Sequence, residues 1–168
     1  MSWSLFVIAV HRAARGGVLE WAATASHSRG VPSTAPTAVP LPTVTEVLTA
    51  FHEAGCHGEA WFEISGAEAA PTLRECPDPG SCAGNGGLDI GEVALRGPAQ
   101  AHFGRLLSTT TSVETVSFRK PTGAGALAAV CALARVSGPQ LVFDDSADTV
   151  FVVWPNEVAG TLAHEWPW

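Results

Sequence analysis

The chain has 168 residues, 46% of them hydrophobic and 15% charged, with a formal net charge of −7. That length and apolar content suit a single folded domain with a real core, and exclude a disordered chain. Nine Lys and Arg against sixteen Asp and Glu leave no basic face for nucleic acid or an anionic membrane, and favour a basic protein partner or a neutral or cationic small molecule.

Leu5–Val10 is apolar on both alternating faces, as in a central strand covered on both sides. No basic segment precedes it and it is short, so it reads as a strand and not as a signal peptide. No run approaches the roughly 18–20 apolar residues of a membrane helix. The expectation is a cytoplasmic protein with reduced thiols. The bias towards Ala, Gly, Pro and Val, with Lys120 the only lysine, resembles high-GC bacterial coding.

Residues 11–23 fit either a short strand or a helical turn. Residues 24–42, with four prolines among Ser and Thr, read as a long loop. A helix is expected over 43–54: Thr43-x-x-Glu46 is a capping box, Val44, Val47, Leu48 and Phe51 form one apolar stripe, and Gly55 ends it. EAWFEIS, 59–65, reads as a strand with Ala60, Phe62 and Ile64 on one face. A loop over 66–87 follows, then a strand over 88–95 whose alternation changes phase at Gly91, the mark of a bulge.

Residues 98–107 are expected to form a short helix that buries Phe103, Leu106 and Leu107. Strands are expected over 113–119, 140–144 and 149–154, and a deeply buried helix over 124–137 stopped by Gly138-Pro139. The order β–α–β–β, short helix, β–α–β–β predicts one α+β domain over 1–168. It would have a mixed, largely antiparallel sheet with helices on one face, arranged as a ferredoxin-like unit or as two β–α–β–β halves.

The most chemically loaded stretch is ECPDPGSC, 75–82. Zinc sites commonly use a Cys-x2–4-Cys pair, and five residues separate Cys76 from Cys82. Cys56 and His57 are the other candidate donors, awkward as adjacent ligands. A Cys76–Cys82 disulfide conflicts with a reducing compartment. Sequence alone therefore predicts neither metal nor cofactor, and four free thiols, with Cys131 an inert core thiol. His52-Glu53 lacks the second histidine of a zincin on the same helical face. Lys120–Gly125 lacks the order of a phosphate loop, and Asp144, Asp145 and Asp148 lack the glycine and distal glutamate of a calcium loop.

Candidates for acid–base work are Glu59, Glu63, Asp89 and Glu92, on strands expected to be neighbours, and His52. At the far end, Trp166 and Trp168 beside His164 either dock on the body or anchor a partner, and docking is the expectation. Two functions fit. The first is a small acidic protein-binding module of immunity or antitoxin type, meeting a basic partner through charge complementarity. The alternative is a cofactor-independent cyclase or isomerase of a bacterial secondary-metabolite pathway, taking a small molecule under its loops. A deep enclosed pocket would favour the enzyme; open surface would favour the binder.

Overall fold

The computed structural model of the protein describes residues 3–65, 72–78, 81–82 and 87–168. Strand β1 (Ser4–Ala9) runs into a helical segment of α1 (Val10–Ala13), a 3-10 turn at Ala14–Gly16, and α2 (Val18–Thr24). This settles the ambiguity at 11–23 as helix. A three-residue strand, β2 (His27–Arg29), interrupts the loop expected over 24–42; residues 30–42 stay irregular.

Helix α3 (Val44–Glu53) starts at its capping box. The Thr43 hydroxyl accepts from the Glu46 amide at 3.2 Å, and the Thr43 amide donates to Glu46 Oε2 at 2.7 Å. Next come β3 (His57–Ala60), β4 (Glu63–Ser65), β5 (Asp89–Arg96), β6 (Leu106–Ser108) and β7 (Thr115–Arg119). Helix α4 (Gly123–Ser137) is capped by the Thr122 hydroxyl, and is followed by β8 (Gln140–Asp144), β9 (Thr149–Val153) and α5 (Ala159–Leu162).

Seven strands form one sheet in the order β2-β9-β8-β1-β7-β5-β3, and β4 and β6 pair separately. Within the large sheet, β2–β9 and β3–β5 pair parallel and the other neighbours antiparallel. The architecture is α+β with a mixed, mostly antiparallel sheet. β1–α3–β5 and β7–α4–β8 are two split β–α–β crossovers, each enclosing the first strand of the other, in the order β8-β1-β7-β5. The halves are therefore interleaved. The strands that flank them also differ: β3, beyond β5, precedes it and runs parallel to it, whereas β9, beyond β8, follows it, runs antiparallel and carries β2 on its outer side.

α3 and α4 share one face of the sheet. There Leu5, Val7, Val93, Leu95, Val116 and Phe118 pack against Val47, Leu48, Phe51, Leu127 and Val130. A smaller cluster on the other face joins Val10, Ala13, Leu19 and Ala22 of α1 and α2 to Leu141, Val150 and Val152. The phase change in β5 is real. His57 pairs with Asp89 and Glu59 with Glu92, so β5 holds one residue more than β3 over that interval. Gly91 takes it up at φ +66, where a Cβ would collide with the Arg119 carbonyl.

Two expectations fail. Residues 59–65 are not one strand: the chain turns at Trp61–Phe62 and passes from β3 to β4, in a different sheet. Residues 98–107 are not a helix. The Gly97 amide donates to Gln100 Oε1 at 2.7 Å and the Gly104 amide to the Leu95 carbonyl at 3.0 Å, folding the segment into turns that lead to β6. Leu106 consequently lies 66% exposed, while Leu107 is buried. Of the loop expected over 66–87, residues 66–71, 79–80 and 83–86 lie outside the described residues.

His11 sits buried in α1 with Nδ1 unmatched among the described residues. Burial, then the charges of Arg12 and Arg15, lower its pKa below the ordinary 6.5. The unfolded chain takes up a proton there that the folded chain resists. Stability should therefore fall as pH drops below about 6.5, levelling off only below the folded value. Urea unfolding between pH 8 and pH 5.5 should show this slope and His11→Gln should flatten it; an equal slope in both proteins would refute the assignment.

Candidate functional site

α3 ends in a Schellman motif. The Cys56 amide donates to the Phe51 carbonyl and the Gly55 amide to that of His52, both at 3.0 Å, with Gly55 at φ +77. This turn aims Cys56 into the core, where its sulfur lies 3.9 Å from the Gly125 carbonyl and burial pushes its pKa up to about 12. The next residue, His57, starts β3 with only 5% of its surface exposed, its amide donating to the Leu88 carbonyl at 3.0 Å.

His57 does not stand alone. Residue 74 forms a parallel bridge with it, which brings Cys76 alongside the strand. A helical turn at 81–82 brings Cys82, its amide donating to the Asp78 carbonyl at 3.0 Å. The donor atoms of His57, Cys76 and Cys82 all lie within 4.8 Å of one another, and Cys82 Sγ is 3.2 Å from His57 Nε2. Gly87 closes the back of the cluster, and a Cβ there would collide with the Cys82 sulfur. Burial first, then the Cys76 sulfur, then the Asp89 and Asp78 carboxylates raise the Cys82 pKa. All four cysteines are free thiols. Of the four metal candidates read from the sequence, the fold brings three together and turns Cys56 away.

The cluster opens onto a groove of about 580 Å³ at the β3 edge, lined also by Glu59, Glu75, Asp89, Glu92, Arg119 and Lys120. Three of the acid–base candidates therefore share one groove. Glu92 is held by Arg119 at 2.9 Å, and Asp89 Oδ1 accepts from the Gly91 amide at 2.8 Å. Glu59 is exposed, with no ion-pair partner among the described residues. Glu63 lies apart on β4. His52 is exposed on α3 against Arg74, whose Nε–H donates to His52 Nδ1 at 3.2 Å.

A second open groove of about 560 Å³ adjoins the first and shares Glu59 and Ala60 with it. Trp61, 48% exposed, and Leu106 line it with Glu63 and Arg105. The Arg119 guanidinium lies 5.9 Å from the Trp61 ring centroid. The sequence did contain a signal for Trp61: putting Ala60, Phe62 and Ile64 on one face leaves Trp61 on the other. Leu106 had none, because the segment around it reads as helix.

At the far end, Trp166 and Trp168 pack against the main core. Trp166 meets Phe151 and Trp168 edge-on, at 5.1 and 5.0 Å between centroids, and Trp168 Nε1–H donates to Asp144 Oδ2 at 3.0 Å. His164 is exposed. No family model matches the chain, and the searches of curated proteins and of solved structures find no match either.

Proposed function

We propose that this chain is a small protein-binding module whose contact surface is the sheet edge at β3 and β4–β6. The observation that carries this reading is the pairing of exposed Trp61 and Leu106 in one open groove, lined also by Glu59, Glu63 and Arg105. Neither carboxylate has an ion-pair partner among the described residues. Large aromatic anchors ringed by polar groups are how interfaces concentrate binding free energy. Unpaired carboxylates on a chain of net charge −7 select a partner with an apolar anchor between basic residues, and hasten its approach. An immunity- or antitoxin-like protein that covers a basic enzyme is the role this chemistry suits.

Cavity geometry supports the binder over the small enzyme. The two grooves at the β3 edge, of about 580 and 560 Å³, are open rather than enclosed. The test is binary affinity for a partner captured from the source cell, identified and purified. Trp61→Ala with Leu106→Ser should weaken binding by 10-fold or more, about 1.4 kcal/mol or above, without changing the melting temperature. The association rate should fall with added salt. A captured partner that binds the double variant as tightly as the wild type removes this surface from consideration.

A further inference from the structure

We infer that His57, Cys76 and Cys82 form a three-donor site for a borderline-soft divalent cation, zinc first. The inference is independent of what the Trp61 groove binds. In a zinc tetrahedron with Zn–S near 2.3 Å and Zn–N near 2.0–2.1 Å, two sulfurs lie about 3.8 Å apart and a sulfur and a nitrogen about 3.6 Å. Here the three donor atoms lie within 4.8 Å of one another, and the Cys82–His57 pair is at 3.2 Å. Shifts of an ångström or less convert the cluster into a ligand set.

The chemistry of the donors selects the ion. Two thiolates and an imidazole suit zinc and its neighbours, whereas calcium and magnesium take oxygen ligands. The surroundings suit a cation as well: Asp78 and Asp89 place negative charge near Cys82. Backbone bonds position the donors. The His57 amide is held by Leu88, the Cys82 amide by Asp78, and the side-chain-free Gly87 leaves room for the Cys82 sulfur. The five residues between Cys76 and Cys82 exceed the usual zinc-knuckle spacing, and Cys56 and His57 are adjacent. That spacing matters for a knuckle that binds alone. It matters less where a third donor on an edge strand is already buried beside the loop.

Three protein donors leave a four-coordinate ion one position for water or for a ligand from outside the chain. The groove with Glu59 and Asp89 lies on that site's open side. The site would also tie Cys76 and Cys82 to β3, beside the bridge between His57 and Arg74.

The experiment uses the whole chain, reduced and stripped of metal, titrated with Co²⁺. One cobalt per chain should bind with the ligand-field bands of a tetrahedral site and thiolate-to-cobalt charge transfer, and one equivalent of Zn²⁺ should bleach both. Cys76→Ser and Cys82→Ser should each weaken zinc binding at least about 100-fold in competition with a chromogenic chelator. The metal-free melting temperature of these variants should match the wild type, because both residues lie near the surface. Cys131→Ala, remote in α4, should leave affinity unchanged. Three results would overturn the site: no cobalt bands from a chain whose four thiols all titrate after denaturation; wild-type affinity in both serine variants; or, in the chain assayed before any reduction, two titratable thiols that become four only with reductant, which identifies a Cys76–Cys82 disulfide instead.

Discussion

Deleting residues 166–168 should lower the melting temperature by roughly 5–15 °C. Both indoles are half-buried against the core, and together with Phe151 they form a chain of edge-to-face contacts. Partial burial of two indoles, their ring contacts and the Trp168–Asp144 hydrogen bond together contribute on the order of 2–4 kcal/mol after ordering costs. In a domain of this size each kcal/mol moves the midpoint about 2–4 °C. Acid should weaken the anchor by a route of its own. Burial pushes the Asp144 carboxyl up, but hydrogen bonds from Ser146, Trp168 and the Ala147 amide outweigh it and hold its pKa below the ordinary value. Its contribution is thus present above the unfolded pKa of about 4 and lost as pH falls through the folded one. Differential scanning calorimetry of the truncated chain decides the matter, and a midpoint within 2 °C of the intact protein would contradict this account.

Phe118→Ala should be at least as damaging, at about 3–5 kcal/mol, or roughly 6–20 °C. Phe118 lies in the β7 strand with no exposed surface, its ring centroid 5.7 Å from that of Phe51 in α3. The sheet and helix that meet there are each pinned by other contacts, so a truncated ring leaves a void that neither can close. Phe118→Leu keeps most of the volume and should lose less than half as much. Equal losses from the two substitutions in urea titrations would mean that the site collapses around the void.

What the sequence revealed and what it hid follow from how far each signal reaches. Thr43–Glu46 is a local device, complete within four residues, and α3 begins where it places it; the Thr122 cap of α4 is equally local but was not read from the sequence. The bulge in β5 is legible for the same reason: Ile90, Val93 and Leu95 record a change of phase in their own spacing. Strand membership is different. Ala60, Phe62 and Ile64 alternate without interruption, yet the chain changes sheets between them. Alternation reports which side faces apolar neighbours and is silent about which strand supplies them. The segment 98–107 misled because Pro98 and a run of helix-tolerant residues outweighed Gly97 and Gly104, which mark the turns that form.

The candidate site shows the same division. Cys56, His57, Cys76 and Cys82 could be named from the sequence, since few side chains bind soft metals. Which three of them meet could not be read there, because it depends on a Schellman turn that sends adjacent residues in opposite directions and on a loop that returns beside β3. Likewise Glu59 and Glu92 become neighbours only through the register of β3 on β5, and Arg119 reaches Glu92 from β7.

The middle of the sheet is built from the most distant parts of the chain. Leu5 pairs with Phe118 on one side and with Asp144 on the other. On a ribosome moving at about 5–20 residues per second, β1 leaves the tunnel and then waits on the order of 7–30 s for its second neighbour. Until β7 emerges, the apolar residues of β1 have no strand to join, and until β8 emerges one edge of β1 stays open, with only α1 and α2 close by in sequence. The nascent chain is thus exposed to aggregation at β1, and a chaperone that holds short apolar segments should find its client there until β8 emerges.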